Sequence, residues 1–413
     1  MPRRSALARR TRKEWAVRGA LALFAAVLGY VSVIHTAAAV AARRNAELAH
    51  RLAPGNGAIA ARLALSLAGA EATTADRQRA DVLARRALLR DATAVPAVVT
   101  LGVNAEIRGE RAKARRLFAY SQALSRRDLQ TQFWAIEDAV GRDDVAEVLR
   151  HYDIALRTSV AGSGILFPLL ATAASDPAVR SGLIKILAAR PNWSESFIGY
   201  VAGNGPDPRS TAALFLGLRH VGVAVPKTTL APLVNALVAG GFMDDAWRYY
   251  ASATPGVDRS SSRDPEFGFG MDTPSLFDWV PINDGTVTTS IQRGDESGVF
   301  DFAAPASVGG VLLQQLQLLP PGTYRIAGSS SGIEQEESAR PYWVLSCRQD
   351  GRELGRVPLP NSAEANGRFT GIFTVPPGCP VQTLALVARP SDAVAGLSGQ
   401  INRVQLTPVR GAR

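Results

Sequence analysis

Between Gly19 and Ala42 the chain reads GALALFAAVLGYVSVIHTAAAVAA, 24 residues without Asp, Glu, Lys or Arg, closed by Arg18 and Arg43. A bilayer core about 30 Å thick needs about 20 apolar residues at 1.5 Å rise each, so the stretch is long enough to span. Residues 1–18 carry six Arg and one Lys against Glu14, a net charge of +6. Basic flanks stay in the cytoplasm, which places the N-terminus inside and the body across the membrane. Arg43 and Arg44 pull the other way with only two charges, and Trp15 suits the inner interface. A cleaved signal peptide is the rival reading, with an apolar core from Gly19 to Ile34 and small residues at Ala37–Ala39. The long basic region and the unbroken apolar run favour a retained anchor at 19–42. Both readings export the body.

The net charge of +10 and the high isoelectric point suggest nucleic acid until the charge is mapped. The tail holds +6, residues 19–254 hold +7 spread along the chain, and the stretch from Pro255 onward is at −3. No basic cluster remains in the body, so nucleic acid is not an expected partner. The chain has 42 Arg and 4 Lys with abundant Ala, a bias that reads as base composition rather than function.

Beyond the tail (1–18) and anchor (19–42), the body is long enough for two domains. Composition changes near Pro255, from Ala, Leu and Arg to Gly, Pro, Ser, Thr, Val and Gln. The expected division is a helical domain at 43–253, a linker at 254–271 and a β-domain at 272–413. In the first, Ala80, Leu83, Ala84, Ala87 and Leu88 fall on one helical face. Leu117, Phe118, Ser121 and Leu124 repeat the stripe, as do Val145, Val148, Leu149, Tyr152 and Leu156. Leu83 to Leu117 is 34 residues and Leu117 to Leu149 is 32. Turn signals at 109–111 and 141–143 precede the later two helices. Helix pairs at a period near 34 predict a solenoid.

LAPGNGAIAARLALSLAG (52–69), ALLRDATAVPAVVTLGVNAEIRGERAKARRLFAYSQALS (87–125), GRDDVAEVLRHYDIAL (141–156) and GGFMDDAWRYYAS (240–252) resemble degenerate tetratricopeptide repeats. In the last, Phe242, Ala246, Tyr249 and Tyr250 share a face. The resemblance implies a TPR-like domain that binds peptides or partner proteins in a concave groove, with no single groove residue assigned.

After residue 272 the period changes from 3.6 to 2. Nine strands are expected, at 277–282, 286–292, 298–302, 311–318, 323–329, 342–349, 368–375, 381–388 and 400–407. Pro-Pro-Gly at 320–322 and 376–378 and Asp350-Gly351 mark turns, which predicts an antiparallel β-sandwich or jelly roll. FDW (277–279), LQLLPPGTYRI (316–326), YWVLSC (342–347), FTVPPGCPVQTLAL (373–386) and GQINRVQL (399–406) resemble the jelly-roll domains of carbohydrate-binding-module type that end some exported bacterial proteins. That likeness implies glycan contact, although many such sandwiches bind no sugar.

Cys347 and Cys379 both fall in this segment. In an exported domain they pair most simply, with two buried free thiols as the alternative. Trp279, Tyr324, Tyr342 and Trp343 are aromatics for either a core or a sugar face. Because Tyr342 and Trp343 alternate, at most one of them points inward. Tyr342, with Gln315 and Gln317 outward beside it, is the expected glycan contact.

No residues assemble a reaction. The four His lie at 35, 50, 151 and 220, without a metal-ligand motif. Ser163, in Ala161-Gly162-Ser163-Gly164, lacks a nucleophile frame and reads as a loop. Gly268 and Gly270 read as linker glycines. Asp284, Asp295, Glu296 and Asp301 read as turn and surface acids, and 334–337 as a solvated acidic loop. No enzyme, cofactor or metal is expected. The expectation is a scaffold in the bacterial inner membrane, its N-terminus cytoplasmic and its body periplasmic, binding envelope proteins through its helical repeats. The alternative is a glycan-binding accessory protein in polysaccharide assembly or export, acting through the jelly roll.

Overall fold

In a computed structural model that describes residues 11–42, 44–269, 273–294, 297–392 and 396–409, the apolar stretch is one helix, α1 (Arg12–Ala41). Most of the basic tail, Arg43, Met271, Asp295 and Glu296 lie outside the described residues. Among those residues α1 is the one helix long and apolar enough to cross a membrane, a test that a signal sequence also passes. Thr11 caps it by accepting from the Glu14 N–H. The last turns of α1 are not free: Ala38 is buried against Ala49, Ala53 and Ile59.

By its contacts the chain divides into two compact units, Met1–Leu166 and Phe167–Arg413. The first holds α2 (Ala46–Leu52), α3 (Gly57–Leu67), α4 (Thr74–Arg90), α5 (Val95–Ile107), α6 (Arg111–Leu124), α7 (Leu129–Val140) and α8 (Val145–Thr158). The stripe Ala80, Leu83, Ala84 and Ala87 is buried on α4, as the periodicity requires. The turn at Gly109 has φ +77°, which glycine adopts without strain, and Asp143 occupies the same left-handed region at the next turn. Inside α5, Gly102 lets the Phe118 ring approach closely: a Cβ there would sit 2.9 Å from it. Asn104 joins α5 to α4, donating to Asp81 at 2.7 Å, while Arg108 donates to the other Asp81 oxygen at 3.2 Å.

The boundary between units falls inside α9 (Val160–Ala173). Ser163 therefore lies on a helix rather than in a loop, donating to the Val160 carbonyl at 2.7 Å. This helix is apolar on every side, so no amphipathic period marks it in the sequence.

The second unit contains α10 (Pro177–Ala188), α11 (Ser194–Asn204), α12 (Pro208–His220), α13 (Leu230–Ala239) and α14 (Met243–Ala253), followed by two antiparallel five-stranded sheets. The strands are β1 (Val280–Pro281), β2 (Thr288–Arg293), β3 (Gly298–Ala304), β4 (Gly310–Gln317), β5 (Gly322–Ser331), β6 (Tyr342–Cys347), β7 (Glu353–Pro358), β8 (Arg368–Val375), β9 (Gln382–Ala388) and β10 (Leu397–Pro408). One sheet runs β1-β4-β9-β6-β7 and the other β2-β3-β10-β5-β8. Their inner faces enclose a single core that includes Trp279, Phe300, Phe302, Trp343, Phe373, Ile401 and Leu406. The strand missing from the sequence reading is β7. It is a polar edge strand, ELGRVP, with one neighbour in its sheet and little apolar alternation to reveal it.

Residues 254–269 form neither helix nor strand, yet they are not an exposed tether. Ser262 exchanges bonds with the backbone of Leu406, donating its N–H at 2.9 Å and accepting at its hydroxyl at 2.8 Å. Arg263 is buried, and α14 packs Trp247 and Tyr250 onto Phe277 at ring separations of 5.6 and 5.4 Å. Within the second unit, helices and sandwich therefore share an interior.

Candidate binding sites

In the first unit, α6, α7 and α8 line one open groove of about 350 Å³ with Arg115, Gln122, Trp134, Asp138, Glu147 and Arg150. A smaller hollow of about 160 Å³ continues it, sharing Arg115, Trp134, Asp138 and Arg142. Its floor is aromatic: Trp134 stacks on Phe118 with centroids 4.4 Å apart and donates its indole N–H to Glu106 at 3.1 Å. Its rim alternates in charge. Asp138 accepts from Arg115 at 2.6 Å and from Arg142 at 3.3 Å. Glu147 accepts two bonds from Arg150, at 2.5 and 2.8 Å, and this pairing holds its carboxyl down at about 2.

His151 sits at the back of this groove, buried. Its Nδ1 lies 2.7 Å from the Gln132 carbonyl oxygen and its Nε2 lies 2.8 Å from an Arg150 N–H. Burial pushes the imidazole below its ordinary pKa, and Arg150 adds to the effect against Glu147. The neutral ring then donates from Nδ1 and accepts at Nε2, so neither nitrogen is left to take a proton from a substrate. The groove offers a flat apolar floor and paired charges, chemistry suited to holding a polar chain segment.

In the sandwich, the expected glycan contact is not assembled. Gln315 and Gln317 are completely buried, a correction to their expected outward position. They lie on the core-facing side of β4 with Leu313: Gln315 pairs with the core residue Leu384 and Gln317 with the buried Gln382, and Arg263 meets them there. Gln315 exchanges bonds with the Arg263 backbone, both at 3.1 Å. Gln317 accepts from the Arg263 guanidinium at 3.0 Å. Arg263 also donates to the carbonyls of Phe277 and Leu316. Burial lowers this guanidinium to about 10, so it stays charged at neutral pH. Its countercharge is Asp278, which accepts from the Tyr250 hydroxyl at 2.7 Å and from Ser275.

Tyr342 is half-buried on β6. Arg356 from β7 on one side and Arg389 beyond β9 on the other lie over its ring, at 4.1 and 4.9 Å from the centroid. A sugar would have to displace guanidinium to stack there. Trp279, Tyr324 and Trp343 are core residues. Asp284 caps a turn by accepting from Thr286 and Val287, and Asp301 accepts from Gln400 at 2.9 Å. Cys347 and Cys379 form a disulfide.

A surface that strand periodicity alone does not single out lies on the outer face of the second sheet. Ser329, Arg368, Thr370, Arg403 and Gln405 ring a shallow depression of about 470 Å³. A register shift between Ile401 and Arg403 bends β10 there, opposite Gly328, where a Cβ would collide with the Arg403 carbonyl. The bend depends on which strand faces which, and that is invisible in one sequence.

No family profile and no curated protein match the chain. Among solved structures it is similar to the enzymatically active domain of tailspike protein 4 from bacteriophage CBA120, at 14% identity over 32% of this chain, with a TM-score of 0.23. This chain spans only 19% of that structure. It is also similar to the CBM22-1 xylan-binding domain of Paenibacillus barcinonensis Xyn10C, at 11% identity over 37% of this chain and 96% of that one, with a TM-score of 0.26. A third likeness, to the Glycosylation Associate Protein complex of Streptococcus agalactiae, has 14% identity over 30% of this chain and 45% of that one, with a TM-score of 0.20. Likenesses this low carry no functional argument.

Proposed function

We propose that the protein is a non-catalytic scaffold of the bacterial envelope, held in the inner membrane by α1, with a periplasmic body whose TPR-like helices hold a partner protein. The observation that carries this reading is the groove of α6, α7 and α8, where three successive helices expose an aromatic floor and a rim of both charges. A retained anchor is supported by Ala38, whose burial against α2 makes the end of α1 part of the folded body. A periplasmic location is supported by the disulfide, since such bonds persist in oxidising compartments.

The test is photocrosslinking in living cells. A photoreactive residue at Gln122 in the full-length protein should yield a discrete protein adduct, while the same probe at exposed Arg86 should not. Equal labelling at both positions, or none at Gln122, would discard the groove. A C-terminal reporter active only outside the cytoplasm should be active, and a silent one would reverse the topology.

The second reading, contact with polysaccharide, is favoured by the polar depression around Arg368, Arg403 and Gln405. A glycan array probed with the full chain and with Arg368→Ala tests it. Retention of the same signals by the variant would remove that surface from consideration.

A further inference from the structure

A hollow of about 610 Å³ in the second unit lies where α12, the loop before α13 and the end of α14 meet. Its size falls within the roughly 300–1,000 Å³ usual for small-molecule sites. Arg219 and Lys227 stand on its wall, which among the described residues carries no Asp or Glu. Among the described residues, Arg219 reaches Ser252 and Tyr249 rather than a carboxylate.

Arg219 is nonetheless held in place. Its guanidinium lies 4.8 Å from the Tyr249 centroid and donates to the Ser252 hydroxyl at 2.7 Å. Tyr249 is itself buried and fixed by Thr229 at 3.2 Å. An oriented, part-buried cation that lacks a countercharge is poised for an anion. The rest of the wall determines which anion.

Thr228, Ser252 and Thr254 contribute hydroxyls, and Val225, Leu230 and Phe269 contribute apolar surface. Ser252, Ala253 and Thr254 also bring the C-terminal end of α14 to the hollow. The last carbonyls of a helix lack intrahelical partners and form the negative end of its dipole. They accept hydrogen bonds and repel concentrated negative charge. A phosphate, with more charge and few protons to donate, suits this end poorly. A ligand with one carboxylate, several hydroxyls and a C–H face suits every part of the wall.

We infer that this hollow binds an acidic sugar, its carboxylate on Arg219 and Lys227, its hydroxyls on the α14 terminus and its C–H face on Phe269. The inference is independent of any partner in the α6–α8 groove. It also differs from the sheet depression, because it uses neither Arg368 nor Arg403.

Isothermal titration of the full chain in detergent micelles tests it with trigalacturonate, the uncharged galactose trimer and inorganic phosphate. Trigalacturonate should bind, with the neutral trimer at least about tenfold weaker, the scale of losing a charge-assisted contact. Arg219→Gln should weaken trigalacturonate about tenfold and abolish most of the preference over the neutral trimer. The Lys227 side chain is exposed, so Lys227→Gln guards against misfolding; it should weaken the acid several-fold. Arg368→Gln should change nothing. Failure of trigalacturonate to bind, equal affinity for the neutral trimer, tighter binding of phosphate, indifference to both substitutions, or loss through Arg368→Gln would each overturn the assignment.

Discussion

Arg263 shows how one side chain can hold together segments distant in sequence. Its guanidinium serves Phe277, Leu316 and Gln317 at once, beside Trp247 and Phe277 rings 5.7 and 5.6 Å away. Arg263→Met should destabilise the second unit by about 3–5 kcal/mol, because it strands Asp278 and several acceptors in a dry interior. Arg356→Met, which breaks an exposed pair with Glu353, should change stability by no more than about 1 kcal/mol. Urea titration followed by tryptophan fluorescence measures both, and equal effects would show that the network is dispensable.

His151 supplies a pH dependence whose sign follows from its environment. The folded protein keeps the ring neutral between Gln132, Arg150 and Glu147, whereas the unfolded chain protonates near pH 6.5. The unfolded state then binds more protons below that pH, so the stability contribution is complete above about 6.5 and lost as pH falls below it. The thermal midpoint of the helical region should fall between pH 7 and 5, and His151→Gln should flatten that slope. The carboxyl of Glu147, already at about 2, titrates below this window.

At the scale of elements, the disulfide joins the end of β6 to the turn before β9, with a sequence separation of 32. Closing that loop should contribute about 3–4 kcal/mol in the chain-entropy account. Reduction should lower the denaturant midpoint of the sandwich accordingly, without changing far-ultraviolet dichroism of the folded state. An unchanged midpoint would mean that the surrounding core holds those strands alone. Tyr342 and Trp343 illustrate the strand period: Trp343 is wholly buried, while Tyr342 lies outside the core. The edge strand β7 escaped because solvent-facing strands need no apolar alternation.

At the scale of the whole molecule, compactness divides the chain at Leu166/Phe167, well before the change in composition near Pro255. Leu276 accepts its place from α13, its N–H donating to Asn235 at 2.9 Å, and Tyr250 closes onto Asp278. A fragment covering 167–413 should therefore unfold in one cooperative transition, with helical and β signals melting together. A fragment beginning at 273 should be markedly less stable, since Phe277 loses Trp247 and Tyr250, and Gln315 and Gln317 lose Arg263. Equal stability of the two fragments would mean that the helices add nothing to the sandwich.

Features set by local pattern are legible along the chain. The apolar run within α1, the helical stripes of α4 and α8, the strand period and the two cysteines within one sandwich all follow from spacing along the chain. What covers each face is set by long-range packing. Gln315 and Gln317 alternate as the period of two requires, but on the core side of β4, with Leu313 and opposite Leu384, where Arg263 bonds both. Tyr342 does have the predicted direction, with the guanidinium groups of Arg356 and Arg389 over its ring. Periodicity states which residues share a side of an element. Whether water reaches that side depends on segments that arrive from elsewhere, and long-range packing leaves no period in the sequence.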